Sequence, residues 1–487
     1  MNFCSFISRV FLPFLISFLP QINIAQSFSI ADSAVEKRLR RDIGILASDS
    51  FRGREAGTIG EKRAYEYIIS QFREAGLVPG GTEPGSFLQP FQKTWVGFSG
   101  KTMFRIGKQE IIYTQQFSVT SLSGNGEAHG QVADCGQGIV IGQKLRDDYR
   151  TAGDIRGKLV LIDLDIPREW FRDTSLSRYL APRFRMKQAL DRGAAGVIFW
   201  HRHSVYQSSI FNFQVTDTLP APAIYVNAEI AELLKQNTTD TADICIKVFR
   251  KQVTYYNVLG RIDNGAPSTI IFGAHYDHNG INRDSAVING ADDNASGTAG
   301  ILEMARYYIG HRDSSYNYLF AAFSAEEKGL LGSAWFCNHP VIPLDSVAFM
   351  VNFDMIGRLG WNENVVTAEA TKSSPLWKKL YHEVPHPSFR IKKIPGSLPF
   401  SDHYYFYLKG KPILYLNTGL HPQYHTQADD TELINLSGMS EILKYSRALI
   451  TWTARYDKIP YRKVSGFDNL MSYLGFAFEI LGKYIGY

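Results

Sequence analysis

The sequence predicts an α/β fold built on an open, mixed but mostly parallel sheet. Two observations carry that prediction. Short apolar runs rich in β-branched residues recur through the second half of the chain, and each ends at a glycine or a polar residue, as buried strands do. Potentially reactive side chains then gather at or just past the C-terminal ends of those runs, where open α/β sheets place their ligands. At 487 residues the chain is too long for one ordinary core, so two domains are expected.

The N-terminus reads as a secretory signal over residues 1–27. Arg9 precedes the apolar run 10–19, and small or polar residues follow at Ala25-Gln26-Ser27. The run is short and is interrupted by Pro13, so a stable membrane span is not expected. Loss of this segment leaves Cys135, Cys245 and Cys337, too few and too odd in number for a disulfide framework. Residues 28–114 form the first segment of the main domain. Residues 115–250 differ in content and read as an insertion, with strands expected over 157–163, 193–200 and 222–226 and a helix over 186–192.

Residues 251–460 carry the chemistry. His275 lies in Gly273-Ala274-His275-Tyr276-Asp277, directly after the strand-like run 268–272. Asp277 is placed to accept the second ring N–H of His275 and fix its tautomer. Asp293 sits in Gly290-Ala291-Asp292-Asp293-Asn294, where a polar loop opens into a helix; two of the three polar residues are expected to cap that helix. Glu326 and Glu327 end the run 318–323. Like charges there repel and lose hydration, so a cation or a proton must compensate, unless they merely open a solvated helix. Asp354 follows the strand 347–353, and His425 occupies a polar loop after the strand 412–416.

A single histidine in such a set is as well explained by a surface turn. The pattern is harder to dismiss. Four of the residues His275, Asp293, Glu327, Asp354 and His425 fall at or past strand ends, and Asp293 opens the helix after the first of those strands. Two imidazoles and three carboxylates suit two zinc ions, one imidazole and one terminal carboxylate each, with the remaining carboxylate shared. Two ions roughly 3.5–4 Å apart can hold a hydroxide and polarise a carbonyl, which hydrolysis of an unactivated amide requires.

Taken together, these motifs resemble the co-catalytic zinc exopeptidases, the family of secreted aminopeptidases, glutamate carboxypeptidase and glutaminyl cyclase. The likeness runs from about Ile43 to about Thr453 and includes Gly53-Arg54-Glu55-Ala56-Gly57-Thr58, Asn257-Val258-Leu259-Gly260 and Ser401-Asp402-His403. It implies a three-layer sandwich around the central sheet. It also implies one zinc on His275, Asp293 and Asp354, the other on Asp293, Glu327 and His425, with Glu326 as general base and Asp277 beside His275. His403 stays outside the metal set. The insertion resembles a protease-associated domain, a small β-rich module that serves as a lid or as ornament.

The preferred reading is a secreted aminopeptidase acting through a metal-bridged hydroxide, with peptides as partners. A carboxypeptidase of the same fold would need a basic pocket, for which Arg358 and Lys393 are too few; a glutaminyl cyclase would run on one zinc. The complete ligand set argues against a non-catalytic receptor. A net charge of +5 without basic runs gives no reason to expect nucleic acid, and oligomeric state is open. The tail 461–487 spaces Phe467, Leu470, Met471, Leu474, Phe478 and Leu481 as a helix does, with Glu479 and Lys483 set for an ion pair. It is expected to pack on the main domain or on a second subunit.

Overall fold

The computed structural model describes residues 31–485 apart from 99–101, 113–114, 143–145, 166–176, 202–217, 237–239, 283, 313 and 386–387. The expected signal segment lies outside the described residues, as do the side chains of Phe478, Glu479, Leu481 and Lys483. The chain divides into two compact units, one of residues 1–91 and 255–487 and one of Gln92–Thr254.

The second unit begins before residue 115, where the sequence reading put the start of the insertion. The reason is pairing. Met103–Ile106 joins Thr241–Ile246 and Gln109–Ile111 in the insertion's own sheet. That sheet runs on through Gly126–Asp134, Leu159–Asp163, Gly196–Trp200, Ala223–Val226 and Phe117–Val119. Alternate residues of Leu159–Asp163 enter opposite cores: Leu159 and Leu161 one, Val160 and Ile162 the other.

The first unit holds a nine-stranded mixed sheet. At its centre Thr269–His275 runs parallel to Asn317–Phe323 on one side and to Val347–Phe353 on the other, and Ile413–Asn417 continues the parallel block. Antiparallel strands flank that block, Val248–Ile262 beside Asn317–Phe323 and Val365–Glu369 beside Ile413–Asn417. Every residue of Thr269–His275 is buried. Such unbroken apolar runs mark strands covered on both faces. Ile270, Phe272 and Ala274 pack with residues of the helices Ala31–Leu46, Ile59–Ala75, Gly297–Gly310 and Leu436–Thr453. Ile271 faces the other way, toward Phe336, Cys337, Phe406 and Tyr407 of the helices Leu331–Asn338 and His403–Leu408. Parallel alignment puts the C-terminal ends of four strands along one edge, which is where the reactive residues are needed.

The tail forms the helix Gly466–Ile485. Its Ser472 and Asn469 side chains accept from the backbone N–H groups of Gly396 and Ser397, at 3.0 and 3.2 Å. Phe476 packs on Phe400, with ring centres 4.4 Å apart. The tail therefore packs on the first unit, one of its two expected places. Among the described residues no helix is long and apolar enough to cross a membrane.

One glycine is demanded by the centre of the sheet. A Cβ on Gly273 would lie 2.3 Å from Met350 Cε and 3.0 Å from Phe323 Cε2, so the strand leaves no room for a side chain there. Gly273→Ala should cost about 1–3 kcal/mol by overpacking, read as a lowered midpoint in urea unfolding with an unchanged slope. An unaltered midpoint would show that Met350 moves aside freely.

Candidate metal centre

Five strand-end segments and loops meet at the edge of the parallel block. His275 closes the central strand, and its Nε2 lies 3.3 Å from Asp293 Oδ1 and 3.3 Å from Asp354 Oδ1. The second carboxylate oxygen of Asp293 faces a different group. Asp293 Oδ2 is 2.9 Å from His425 Nε2, which is also 3.3 Å from Glu327 Oε1. One aspartate thus turns its two oxygens toward two separate clusters of nitrogen and oxygen donors, both within the reach of a single ion. That is the shared position the sequence pattern requires. The donors are imidazole and carboxylate alone, a set that suits zinc.

Two details differ from expectation. Asp277 does not meet His275 through its carboxylate. Its backbone carbonyl lies 3.2 Å from His275 Nδ1, while the carboxylate stands 3.9 Å off and accepts instead from the backbone N–H of Glu326 at 3.0 Å. Asp277 therefore orients both His275 and the Glu326 segment. The second cluster also contains a residue that the sequence reading did not single out, His278, whose Nδ1 lies 2.8 Å from Glu327 Oε1. The signal was visible as a second histidine three residues beyond the first, but spacing alone did not separate it from a turn residue.

The surrounding side chains fix this arrangement. Asn294 accepts from the backbone N–H groups of Gly297 and Met355 and donates to Phe353 O, tying the helix start to the strand that delivers Asp354. Asp292 accepts from Gly357 N–H at 2.6 Å and from the Ser296 hydroxyl, so it holds the loop beyond Asp354 rather than capping the helix. Asp429 accepts from the N–H groups of Asp292 and Asp293. Arg54, wholly buried, donates to the carbonyls of Tyr276, Leu46, Asn289 and Gly290 at 2.6–2.9 Å, joining the segment after His275 to the loop before Asp293. In the sequence Arg54 shows only as part of an opening motif, because its partners are 8 to 236 residues away along the chain.

The chain is similar to known proteins. A family model for Peptidase family M28 matches residues 257–450, the stretch that supplies every one of these donors. The match covers well under half of the chain. A probable leucine aminopeptidase of Arthroderma otae is 26% identical over 251 residues, covering 47% of this chain and 64% of its own. Aminopeptidase YwaD of Bacillus subtilis is 28% identical over 298 residues, covering 57% and 60%. The chain thus spans a little under two thirds of these relatives. An aminopeptidase structure from Aneurinibacillus sp. strain AM-1 shares the fold with a TM-score of 0.60 at 19% identity, covering 88% of this chain and 96% of its own. The structure of a zinc aminopeptidase from Bacillus subtilis gives 0.55 at 21%, covering 88% and 98%.

Electrostatics separate the two adjacent glutamates of this segment. Burial pushes the Glu326 carboxyl well above the usual carboxylate range, and Glu327, Asp354 and Asp402 add to the rise against His275. Burial opposes ionisation of Glu327 too, as does Asp293, but hydrogen bonds from His278 and His425 bring it to about 2. Burial likewise resists charge on Asp293, yet His278, His275 and His425 hold it well below its ordinary value. Neighbouring carboxyls driven apart in this way divide into a proton carrier and a permanently ionised donor. The centre opens into a cavity of about 560 Å³ whose wall includes Leu398, Pro399, Phe400, Tyr415 and Phe476.

Asp402, fully buried near the centre, is pushed up to about 7, chiefly by burial. Between about pH 4 and pH 7 the folded protein holds a proton there that the unfolded chain has released, so this group's contribution to stability falls as pH rises through 7. Buried His403, lowered to about 3, is neutral in both states above about pH 6.5 and drops out of that window. Buried Asp277, pushed up to about 8 chiefly by burial, contributes in the same window. Stripped of metal by a chelator, the protein should lose melting temperature between pH 6.5 and 8.5, and Asp402→Asn should reduce the loss by about 1–2 °C. Equal losses in the two proteins would exclude Asp402 as a source.

Proposed function

We propose that this protein is a secreted dizinc aminopeptidase. The observation that carries the reading is the split of Asp293, one oxygen toward His275 and Asp354 and the other toward His425 and Glu327, beside a cavity that Glu326 also lines. His275, Asp293 and Asp354 would hold one zinc, and Asp293, Glu327 and His425 the other. When bound, the two ions supply Lewis acidity, polarising a scissile carbonyl and making water a better acid.

The protein's own residues do the rest. Glu326, its affinity for a proton raised by its surroundings, accepts one from the attacking water and returns it to the departing amine. Asp277 holds the Glu326 backbone and the His275 ring in one frame. Glu369 joins the centre's own carboxylates in the cavity wall, and Lys392 is the one Lys or Arg among the described lining residues. Such a wall favours an ammonium over a carboxylate at the substrate's end, hence a free N-terminus. The apolar wall formed by Leu398, Phe400 and Phe476 suits an apolar first side chain. The names of the aminopeptidase relatives support the same reading. Export rests on the leader-like residues 1–27, and the inserted unit is read as a protease-associated module.

Aminoacyl-anilides should be cleaved and their N-acetylated forms should not, with the leucyl and phenylalanyl substrates ahead of the glutamyl one. Glu326→Gln should lower kcat by about 10²–10⁴-fold while the zinc content stays at two per chain. An active preparation that cleaves only N-blocked peptides would overturn the aminopeptidase assignment. A Glu326→Gln protein of full metal content and full rate would remove Glu326 from the role of base.

A further inference from the structure

His278 has no part in the mechanism above, yet it stands inside the second donor cluster. Its ring is buried, and its Nδ1 lies 2.8 Å from Glu327 Oε1 and 3.8 Å from Asp293 Oδ2. These are the same two oxygens that face His425 Nε2, at 3.3 and 2.9 Å. Zinc bonds of about 2.0–2.1 Å to nitrogen and oxygen set the corners of a tetrahedron about 3.3–3.4 Å apart. The four measured separations scatter about that value. A hydrogen bond from His278 to Glu327 accounts for one contact only. A common ion accounts for both contacts, and for the presence of a second imidazole around the same pair of oxygens.

The surroundings are shaped to admit this ring. Gly290 takes a left-handed conformation beside it, and a Cβ there would fall 2.4 Å from His278 Cδ2. The backbone N–H of His278 is anchored on Arg54 O at 3.3 Å. The rings of His278 and His425 meet edge to face, with centres 5.6 Å apart, so neither blocks the other's nitrogen.

We propose that His278 is a fourth protein ligand of the second metal ion, through Nδ1, alongside Asp293, Glu327 and His425. The assignment rests on the dizinc reading and makes its two ions unequal. The second ion has four protein donors, as closed structural zinc sites do, while the first has three, His275, Asp293 and Asp354, and keeps a position open for water or substrate. The second ion is then the tightly held one, and substrate chemistry falls mainly to the first.

X-ray absorption of the zinc-loaded wild-type protein tests this directly, because it counts imidazoles and needs no turnover. The expected result is three imidazoles per pair of ions, from His275, His278 and His425, falling to two in His278→Asn. Chelator competition should then find one of the two zinc equivalents at least about tenfold weaker in that variant, the other unchanged. Two imidazoles per pair in the wild-type protein would overturn the assignment and reduce His278 to a hydrogen-bond partner of Glu327; that outcome leaves the peptidase reading standing. A folded protein that binds no zinc at all would overturn both. The wild-type spectrum decides even if the variant fails to fold.

Discussion

Crowding of negative charge is the constraint on which the site depends. Asp277, Asp293, Glu326, Glu327, Asp354 and Asp402 converge at one edge of the parallel block, most of them buried. Two unit charges 4 Å apart interact by about 4 kcal/mol at the effective dielectric near a protein surface, so several uncompensated carboxylates could not share this space. Arg54 sits close by, but its guanidinium is committed to four backbone carbonyls. Burial lowers its proton affinity to about 10 despite the pull of Asp293, Asp429, Asp277 and Glu327. Imidazoles offset part of the charge, and protons or cations supply the remainder.

The same crowding explains a division of labour between neighbours in sequence. Asp292 and Asn294 point into the protein and tie loops together, leaving the residue between them free to face the donors. Glu326 and Glu327 divide in a similar way, one protonated easily and the other held ionised by two imidazoles. Adjacent residues on an irregular segment project in different directions, so one short motif can serve structure and chemistry together. Secondary contacts then make the placement rigid. Asp277 and Arg54 touch different backbone groups of the same edge, and neither donates a ligand of its own in the proposed mechanism.

The tail adds a feature of this particular chain. Ser472 and Asn469 secure the segment at Gly396 and Ser397, just before Leu398, Pro399 and Phe400 reach the cavity. Phe476 then contributes to the wall directly. A helix remote in sequence from the donors thereby shapes the space beside them.

Sequence alone determined the strands and the order of the reactive residues. Val347–Phe353 and Asn317–Phe323 are nearly continuous apolar runs because both their faces are covered, and such runs announce themselves without any knowledge of their neighbours. His275, Glu327, Asp354 and His425 stand out because each falls at or past the end of such a run, and Asp293 because it opens the helix that follows the first of them. Tertiary structure alone decided which oxygen faces which nitrogen. That Asp277 meets His275 through its carbonyl, that Arg54 braces Gly290, and that His278 joins His425 around one pair of oxygens all depend on segments far apart in the chain. The insertion's true start at Gln92 was likewise set by the pairing of Met103–Ile106 with Thr241–Ile246, some 140 residues away. Periodicity records which residues are buried; it carries no record of what they are buried against.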